Sequence, residues 1–311
     1  MTNSSDLAID ARRLRKEFGK KVAVEDLTLE VKRGEVFGFL GPNGAGKTTA
    51  VKMLMGLFHP TSGTATLLGN PLGDRLTRAR IGFLPEHFRF HEWLQASEFL
   101  DLHGRLYGMS VDEREKTVPQ LLELVGLGRS SKTRLSAFSK GMLQRIGLAQ
   151  ALINNPDLVF LDEPTSGLDP LGRRLVRDII RDLRVRGITV FLNSHLLSEI
   201  ELTCDRVAFI RHGTILRVAS LVELASEAVQ INLRVGNVDD ALLEGLEAFG
   251  SEIRFDPSEG KIHMDLADDN QIPDLVNWLV AQGQAVYELS PQRLSLEERF
   301  LQIVGDEMLD A

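Results

Sequence analysis

The sequence predicts an α/β fold with a parallel sheet, followed by a smaller α+β unit. Apolar runs at 35–40 and 158–161 are typical of strands that a parallel sheet buries on both faces, and helical spacing follows the first run. Beyond Ser220 the predicted order is strand, helix, strand, strand, helix, strand, which is typical of a ferredoxin-like unit. We therefore expect two domains, at 1–220 and 221–311.

The charge distribution supports this division of the chain. The 311 residues are 43% hydrophobic and 26% charged, as in ordinary globular proteins. Residues 221–311 contain 19 acidic and five basic side chains, a net charge of −14, whereas residues 1–220 carry +6. The basic residues of the first part are scattered and lack an aromatic stacking motif, so they favour a solvated surface over a nucleic-acid site.

The sequence shows no sign of secretion or of a membrane span. The N-terminus lacks the basic-then-apolar pattern of a signal peptide, and no apolar run approaches the roughly 18 residues that a span requires. The single Cys204 excludes an internal disulfide, and we interpret it as a buried small side chain rather than a reactive thiol. We expect a cytosolic chain.

A glycine-rich loop is the strongest chemical signal. Residues from Gly41 to Thr48 read G-P-N-G-A-G-K-T, a complete phosphate-binding loop between a predicted strand and a predicted helix at 49–56. Backbone N–H groups and the positive end of the helix would surround phosphate oxygens, Lys47 supplies a positive charge for binding and catalysis, and Thr48 offers a hydroxyl to Mg²⁺. The residues predicted to bind ATP here are Gly41, Pro42, Asn43, Gly44, Ala45, Gly46, Lys47, Thr48 and Thr49.

Acidic residues end two further predicted strands. The strand at 158–161 is followed by Asp162 and Glu163, and the strand at 80–86 ends at Glu86. Asp162 is expected to hold Mg²⁺ through water, and Glu163 to orient and polarise the water that attacks a γ-phosphate. Glu86 is a candidate metal contact, and a solvent-exposed acid at a strand end is the alternative.

Helical periodicity dominates residues 91–155 and predicts an inserted helical subdomain. Apolar residues recur at i, i+3 and i+4 in the segments 93–107, 111–125 and 142–153. Just before the last segment, residues 135–145 read L-S-A-F-S-K-G-M-L-Q-R. Taken alone, this stretch is equally well explained by a helix with a serine N-cap.

Taken together and in order, these motifs resemble those of ABC transporter ATP-binding subunits, over about residues 7–220. The stretch 135–145 is similar to the family's Leu-Ser-Gly-Gly-Gln sequence, although Lys140 replaces a glycine and Met142 a glutamine. Residues 166–169, Ser-Gly-Leu-Asp, look like the family's loop that crosses a dimer interface. The resemblance implies a P-loop NTPase cassette with a RecA-like core and a helical subdomain.

The resemblance also implies roles for individual residues. Phe18 would stack on adenine in place of the usual tyrosine, and a core phenylalanine near a turn is the alternative. Glu86 stands where a glutamine is usual, and a glutamate can still contact Mg²⁺ but cannot donate a hydrogen bond. Ser139 and Gly141 would face the nucleotide of a second copy. His195, at the end of another apolar run, would bond the γ-phosphate and act in catalysis.

The function implied by the resemblance is ATP hydrolysis that drives transport. The chain would form a homodimer or pair with another ATPase subunit, sandwich ATP and Mg²⁺ head to tail, and drive a separate transmembrane permease of the export type. It would then lie on the cytoplasmic face of the membrane, in contact with it only through the permease.

A soluble cassette ATPase of translation or DNA repair is the alternative, but it would normally show two cassettes or a coiled-coil insertion. A small kinase or GTPase is disfavoured because no Asn-Lys-x-Asp motif occurs.

No catalytic cluster is predicted in the second unit. We hypothesise that this unit regulates or buttresses the dimer. A closing helix at 295–304 carries an apolar stripe, which would either contact a second copy or pack on the unit's own sheet. The other predicted elements are strands at 229–235, 251–256, 261–266 and 284–289 and helices at 238–249 and 271–282.

Overall fold

The computed structural model describes residues 6–226 and 229–292, together with Glu298. Contacts divide the chain into two compact units, Met1–Ala219 and Ser220–Ala311. No helix among the described residues combines the length and apolar character needed to cross a lipid bilayer.

The first unit is organised around one large sheet of ten strands within the described part of the chain. In chain order they are β1 (Leu7–Phe18), β2 (Lys21–Lys32), β3 (Val36–Leu40), β4 (Ser62–Leu67), β5 (Asn70–Pro71), β6 (Ile81–Leu84), β7 (Leu158–Asp162), β8 (Thr189–Asn193), β9 (Arg206–Arg211) and β10 (Thr214–Ser220).

The strand order in this sheet is β5-β4-β1-β2-β10-β9-β3-β8-β7-β6. Neighbours from β9 to β6 pair in parallel, while β1 pairs antiparallel with both β2 and β4. The expected parallel core is therefore present. Alternating apolar and polar residues at 7–15 and 21–31 predict two edge strands. Both strands are present, but the predicted edge position is wrong, because β4 lies on one side of this hairpin and β10 on the other.

Seven α-helices of the first unit occur among the described residues, in addition to short 3₁₀ helices at Gly128–Ser130 and Leu135–Ala137. They are α1 (Lys47–Leu54), α2 (Arg75–Arg78), α3 (Ala96–Leu106), α4 (Val111–Leu124), α5 (Lys140–Ala151), α6 (Pro170–Val185) and α7 (Leu197–Thr203). The segments α3, α4 and α5 pack on one another within the predicted helical stretch.

Capping residues explain where two of these helices differ from the predicted bounds. Helix α5 begins two residues earlier than its apolar pattern, because the Ser139 hydroxyl accepts the N–H of Met142 at 3.2 Å. Helix α3 begins three residues later than predicted. Its N-cap is Gln95, whose N–H donates to Glu98 Oε2 at 2.8 Å.

Phenylalanines from three parallel strands form the centre of the first core. Phe191 of β8 lies 5.3 Å from Phe39 and 5.3 Å from Phe160, measured between ring centroids. Because these strands are in register, their carboxyl ends reach the same edge of the sheet, and Asp162 is paired with Asn193 there. The polar residues that follow the apolar runs therefore meet at one place.

The second unit has its own sheet and its own hydrophobic core. Its elements are α8 (Leu221–Ser226), β11 (Val229–Val235), α9 (Asp240–Leu246), β12 (Gly250–Asp256), β13 (Lys261–Leu266), α10 (Ile272–Ala281) and β14 (Val286–Gln292). The sheet order β12-β13-β11-β14 is antiparallel throughout, as in a ferredoxin-like fold. The predicted closing helix at 295–304 lies outside the described residues apart from Glu298.

Candidate functional site

The loop between β3 and α1 contains glycines where a side chain would not fit. Gly46 has a φ of +100° and precedes α1, and a Cβ there would collide with the carbonyl oxygen of Ala23. A Cβ on Gly41 would collide with the carbonyl oxygen of Ile210. The first N–H groups of a helix have no acceptor within it, so this tight turn into α1 suits a phosphate group.

Lys47, the first residue of α1, is buried against this loop. Its ammonium donates to the carbonyl oxygens of Gly41 at 2.6 Å and Pro42 at 3.2 Å. Burial lowers the pKa of Lys47, and the negative charges of Glu163, Asp162 and Glu86 act in the opposite direction. The lysine therefore lies between its own loop and three carboxylates.

Asp162 ends β7 and is almost completely buried, with 3% of its surface exposed. Asn193, paired with it at the end of β8, donates its side-chain N–H to Asp162 Oδ1. Burial raises the pKa of Asp162, as do the nearby charges of Glu86 and Glu163, while the hydrogen bond from Asn193 lowers it. A desolvated carboxylate beside further acids is an environment that a bound cation stabilises.

The donor set at this site fits Mg²⁺ bound together with a nucleotide. Thr48, Asp162 and Glu86 offer hydroxyl and carboxylate oxygens, the ligands that Mg²⁺ prefers. No group of three His, Cys, Asp or Glu side chains in the described residues is arranged to hold a metal by itself. Phosphate oxygens and water would have to complete the coordination, which is the usual mode for Mg²⁺ at nucleotide sites.

Glu163 has an unusual backbone conformation at the end of β7. Its φ is +53°, in the left-handed region that side-chain-bearing residues disfavour, and the residue is 6% exposed. Its Oε1 accepts the backbone N–H of His195 at 2.9 Å. Its Oε2 lies 2.7 Å from His195 Nδ1, close enough for an ion pair but without the alignment of a hydrogen bond.

Most of these groups line one cavity of about 460 Å³, whereas Gly41, Pro42 and Asp162 do not line it. Its walls come from the β1–β2 hairpin, the glycine-rich loop, the start of α1 and the carboxyl ends of the parallel strands. The lining residues are Lys21, Val22, Ala23, Asn43, Gly44, Ala45, Gly46, Lys47, Thr48, Thr49, Glu86, Glu163, Asn193 and His195. Predicted phosphate-loop, metal and hydrolysis residues are thus gathered around one space of the size of a ligand pocket.

Phe18 lies at the end of β1 and is not one of the residues lining the cavity. Its ring is 45% exposed, packs edge-on against Phe58 at 5.4 Å and has the Lys16 ammonium 5.0 Å from its centroid. The turn after Phe18 leads directly to Lys21, which does line the cavity. Adenine stacking by Phe18 stays a prediction.

Ser139 and Gly141 are also outside the cavity lining. The Ser139 hydroxyl caps α5, and a Cβ on Gly141 would lie 3.2 Å from Leu168, in the loop that precedes α6. The start of α5 is therefore adjacent to residues 166–169 of its own chain. A nucleotide contact by these two residues stays a prediction that requires a second copy.

Some residues of the site were missed in the sequence. Asn193 could have been found, because it is a polar residue at the end of an apolar strand, two positions before His195. Gln144 was identified in the sequence as a match to the family motif, but its contact was not: its side-chain N–H donates to the backbone carbonyl of Glu163 at 3.0 Å, and no pattern in the sequence predicts this. No pattern in the sequence predicts that the hairpin residues Lys21 to Ala23 line the cavity either.

Comparison with known sequences gives matches along nearly the whole chain. A sequence model of the ABC transporter family matches residues 24–166. An uncharacterized ABC transporter ATP-binding protein of Synechocystis sp. is 42% identical over 91% of this chain and 78% of its own length. The Nod factor export ATP-binding protein I of Rhizobium sp. is 36% identical over 98% of this chain and 99% of its own. The linearmycin resistance ATP-binding protein of Bacillus subtilis is 32% identical over 97% and 100%, respectively.

Solved structures match the fold over about 70% of the chain. The ATP-binding subunit of an ABC transporter has a TM-score of 0.65 at 30% identity, covering 70% of this chain and 91% of its own. A dimeric ATP-binding cassette in a post-hydrolysis state, bound to ADP and Pi, has a TM-score of 0.64 at 26% identity and covers 68% of this chain and 98% of its own.

Proposed function

Because this chain belongs to the ABC transporter ATP-binding protein family, whose known activity is ATP hydrolysis, we propose that it is the ATPase of an exporter whose permease is a separate chain. Subunits of this family act as dimers with a transmembrane permease. Relatives named for Nod factor export and linearmycin resistance support the export direction, since their similarity extends over 97% or more of this chain. The cargo of those relatives is not transferred to this chain.

The observation that carries the proposal is the meeting of Lys47 and Glu163 at one cavity. The glycine-rich loop and Lys47 would bind the phosphates, and Phe18 would stack on the adenine. Mg²⁺, held by Thr48, Asp162 and Glu86, would neutralise charge on the phosphate oxygens.

Hydrolysis would depend on Glu163 and His195. Glu163 accepts a hydrogen bond from the attacking water, which polarises it and aims it at the γ-phosphorus. The water oxygen forms a bond to that phosphorus as the bond between the phosphorus and the bridging oxygen breaks. One proton of the water stays on the inorganic phosphate, the other leaves to solvent by way of Glu163, and ADP is the leaving group. The backbone N–H of His195 fixes one oxygen of Glu163 at 2.9 Å, while the exposed imidazole is available to the γ-phosphate.

A second copy would complete each site. Ser139 and Gly141 start α5 away from the cavity of their own chain, and a helix N-terminus with a serine hydroxyl suits a γ-phosphate. ATP would then bind between two chains and stabilise the closed pair, and its hydrolysis would release them. A solved relative that is dimeric with ADP and Pi supports this arrangement.

Replacement of Glu163 by glutamine tests the hydrolysis assignment. Glu163→Gln keeps the size of the side chain but removes the charge that polarises water, so turnover should fall by at least about 100-fold. ATP binding, measured by calorimetry, should persist. Glu201→Gln, the same change at an exposed glutamate of α7, is the control and should leave turnover unchanged. Wild-type phosphate release by Glu163→Gln protein would contradict the assignment.

The transport proposal has a separate test. The genes next to this one should include a chain with several hydrophobic spans, and co-expression with that chain should recover this protein in the membrane fraction. ATP hydrolysis should then change when the two are assembled. A protein that stays in the soluble fraction and whose neighbours encode no such chain would favour the soluble ATPase alternative.

A further inference from the structure

Gln144 makes a contact that the proposed hydrolysis steps do not use. It lies on α5, five residues after the N-cap Ser139, and is half-buried. Its Nε2 donates to the backbone carbonyl oxygen of Glu163 at 3.0 Å. This is a normal hydrogen-bond distance, and it joins the helical segment to the end of a central strand.

The peptide groups around Glu163 are held from three directions. The N–H of Glu163 donates to the carbonyl oxygen of Asn193 at 2.8 Å, and its carbonyl oxygen also accepts the N–H of Ser166 at 3.1 Å. Two of these three hydrogen bonds therefore come from backbone groups, one in the adjacent strand and one in the following loop. The third comes from the side chain of Gln144.

These three hydrogen bonds stabilise a left-handed backbone conformation at Glu163. At a φ of +53° a residue with a side chain is not at its conformational minimum, so surrounding contacts must maintain the conformation. The direction of the carboxylate follows from this backbone, and its Oε1 reaches the N–H of His195 at 2.9 Å. A small rotation of the peptide would move the carboxylate away from a water aligned with the γ-phosphorus.

We propose that Gln144 is a positioning residue that fixes Glu163 for hydrolysis. Helix α5 begins at Ser139, which under the proposed function faces the nucleotide bound by the second copy. Gln144 would then connect the helix end at one nucleotide to the hydrolysis group at the other. The positioning role depends only on contacts within one chain, whereas the connection between sites rests on the proposed dimer.

Two variants of Gln144 separate hydrogen bonding from packing. Gln144→Met keeps the length of the side chain and removes the donor, so kcat should fall by at least about tenfold, the scale expected when a reacting group is slightly misplaced. KM for ATP should stay unchanged, because Gln144 does not line the nucleotide cavity. Gln144→Lys keeps an N–H donor of similar reach and should recover most of the kcat.

Gln120→Met is the matched control for these measurements. It makes the same chemical change at an exposed glutamine of α4 and should have wild-type kcat. Wild-type kcat in Gln144→Met would overturn the proposal. Equal losses in the Met and Lys variants would also overturn it, because packing rather than the donor would then explain the effect.

Mixed dimers test whether the contact acts within its own chain. In a dimer that carries Glu163→Gln in one copy, isolated through two different tags, only the other copy hydrolyses ATP. Gln144→Met should lower the turnover of the mixed dimer when it is placed in the copy that keeps Glu163. It should leave that turnover unchanged when it is placed in the copy that carries Glu163→Gln. Equal loss in both arrangements would overturn an intrachain role. If ATP assembles no dimers, the proposed dimer fails, and the kcat comparison of the single variants still decides the role of Gln144.

Discussion

At the scale of single residues, Asn193 and Asp162 form the most buried polar contact of the candidate site. Asn193 is 3% exposed, and its side-chain N–H is donated to Asp162. The oxygen of the same amide is buried without a hydrogen-bond partner among the described residues. The hydrogen bond that orients Asp162 is therefore the reason for an amide side chain at position 193.

We expect Asn193→Leu to weaken the response to Mg²⁺. Leucine has a similar volume but no donor, so Asp162 would lose its orienting partner, and losses of this kind reduce metal affinity or activity by about 10–100-fold. ATP hydrolysis measured against Mg²⁺ concentration should show the shift. ATP binding in the presence of EDTA should be unaffected, and the thermal midpoint should show a folded protein. An unchanged Mg²⁺ dependence would mean that Asp162 is held by other contacts.

At the scale of elements, the start of α5 combines a structural and a proposed functional contact. The Ser139 hydroxyl accepts the N–H of Met142 at 3.2 Å and so caps its own helix. The same hydroxyl is proposed to face a γ-phosphate from a second copy. A simple alanine substitution would remove both contacts, so a loss of dimers in that variant alone would have two explanations.

A pair of substitutions at Ser139 distinguishes these contacts. Ser139→Ala removes the cap, at a cost of about 1 kcal/mol in stability, whereas aspartate caps as well as serine does. Ser139→Asp should therefore keep the monomer stable but repel phosphate. In Glu163→Gln protein, ATP-driven dimerisation measured by light scattering should be weaker with aspartate than with alanine. Normal dimerisation by Ser139→Asp would exclude a phosphate contact.

Ser110→Ala provides the control for the loss of a cap. Ser110 caps α4 through the N–H of Glu113 at 3.3 Å, outside the candidate site. That variant should lose a similar amount of stability and still form dimers in response to ATP.

Elements with a strong local pattern could be predicted from the sequence. Strand β11 has the predicted bounds, because its alternate residues from Val229 to Val235 are buried. Helix α6 was not predicted, although the sequence contains its start signals: Asp169 accepts the N–H of Gly172 at 2.8 Å, and Pro170 is the first helical residue.

The sheet order could not be predicted in the same way. Strand β10 lies beside β2, with Thr214 paired to Asp26, and this placement depends on contacts between distant parts of the chain. In the candidate site, too, local sequence patterns predict some features, whereas others depend on contacts between distant parts of the chain. Asp162 and Glu163 end an apolar run and are visible in the sequence, whereas the contact of Gln144 with Glu163 depends on how a helix packs against that strand end.

At the scale of the whole molecule, the second unit has the features of an independently folding domain. Its core is formed by side chains of its own strands and helices, among them Ile231, Leu242, Met264 and Leu275. All residues assigned to the candidate site precede Ser220, so the described part of the second unit contributes none of them. Its net charge of −14 contrasts with +6 for residues 1–220.

Truncation after Ser220 tests what the second unit does. Since β10 ends at Ser220 and the first sheet is then complete, residues 1–220 should unfold cooperatively and bind ATP as the full chain does.

If the second unit buttresses the dimer, truncation in Glu163→Gln protein should weaken ATP-driven dimerisation, and isolated residues 221–311 should self-associate in sedimentation experiments. Added salt should strengthen that self-association, because screening reduces the repulsion between two units of charge −14. A monomeric isolated unit together with normal dimerisation of the truncated chain would remove this role.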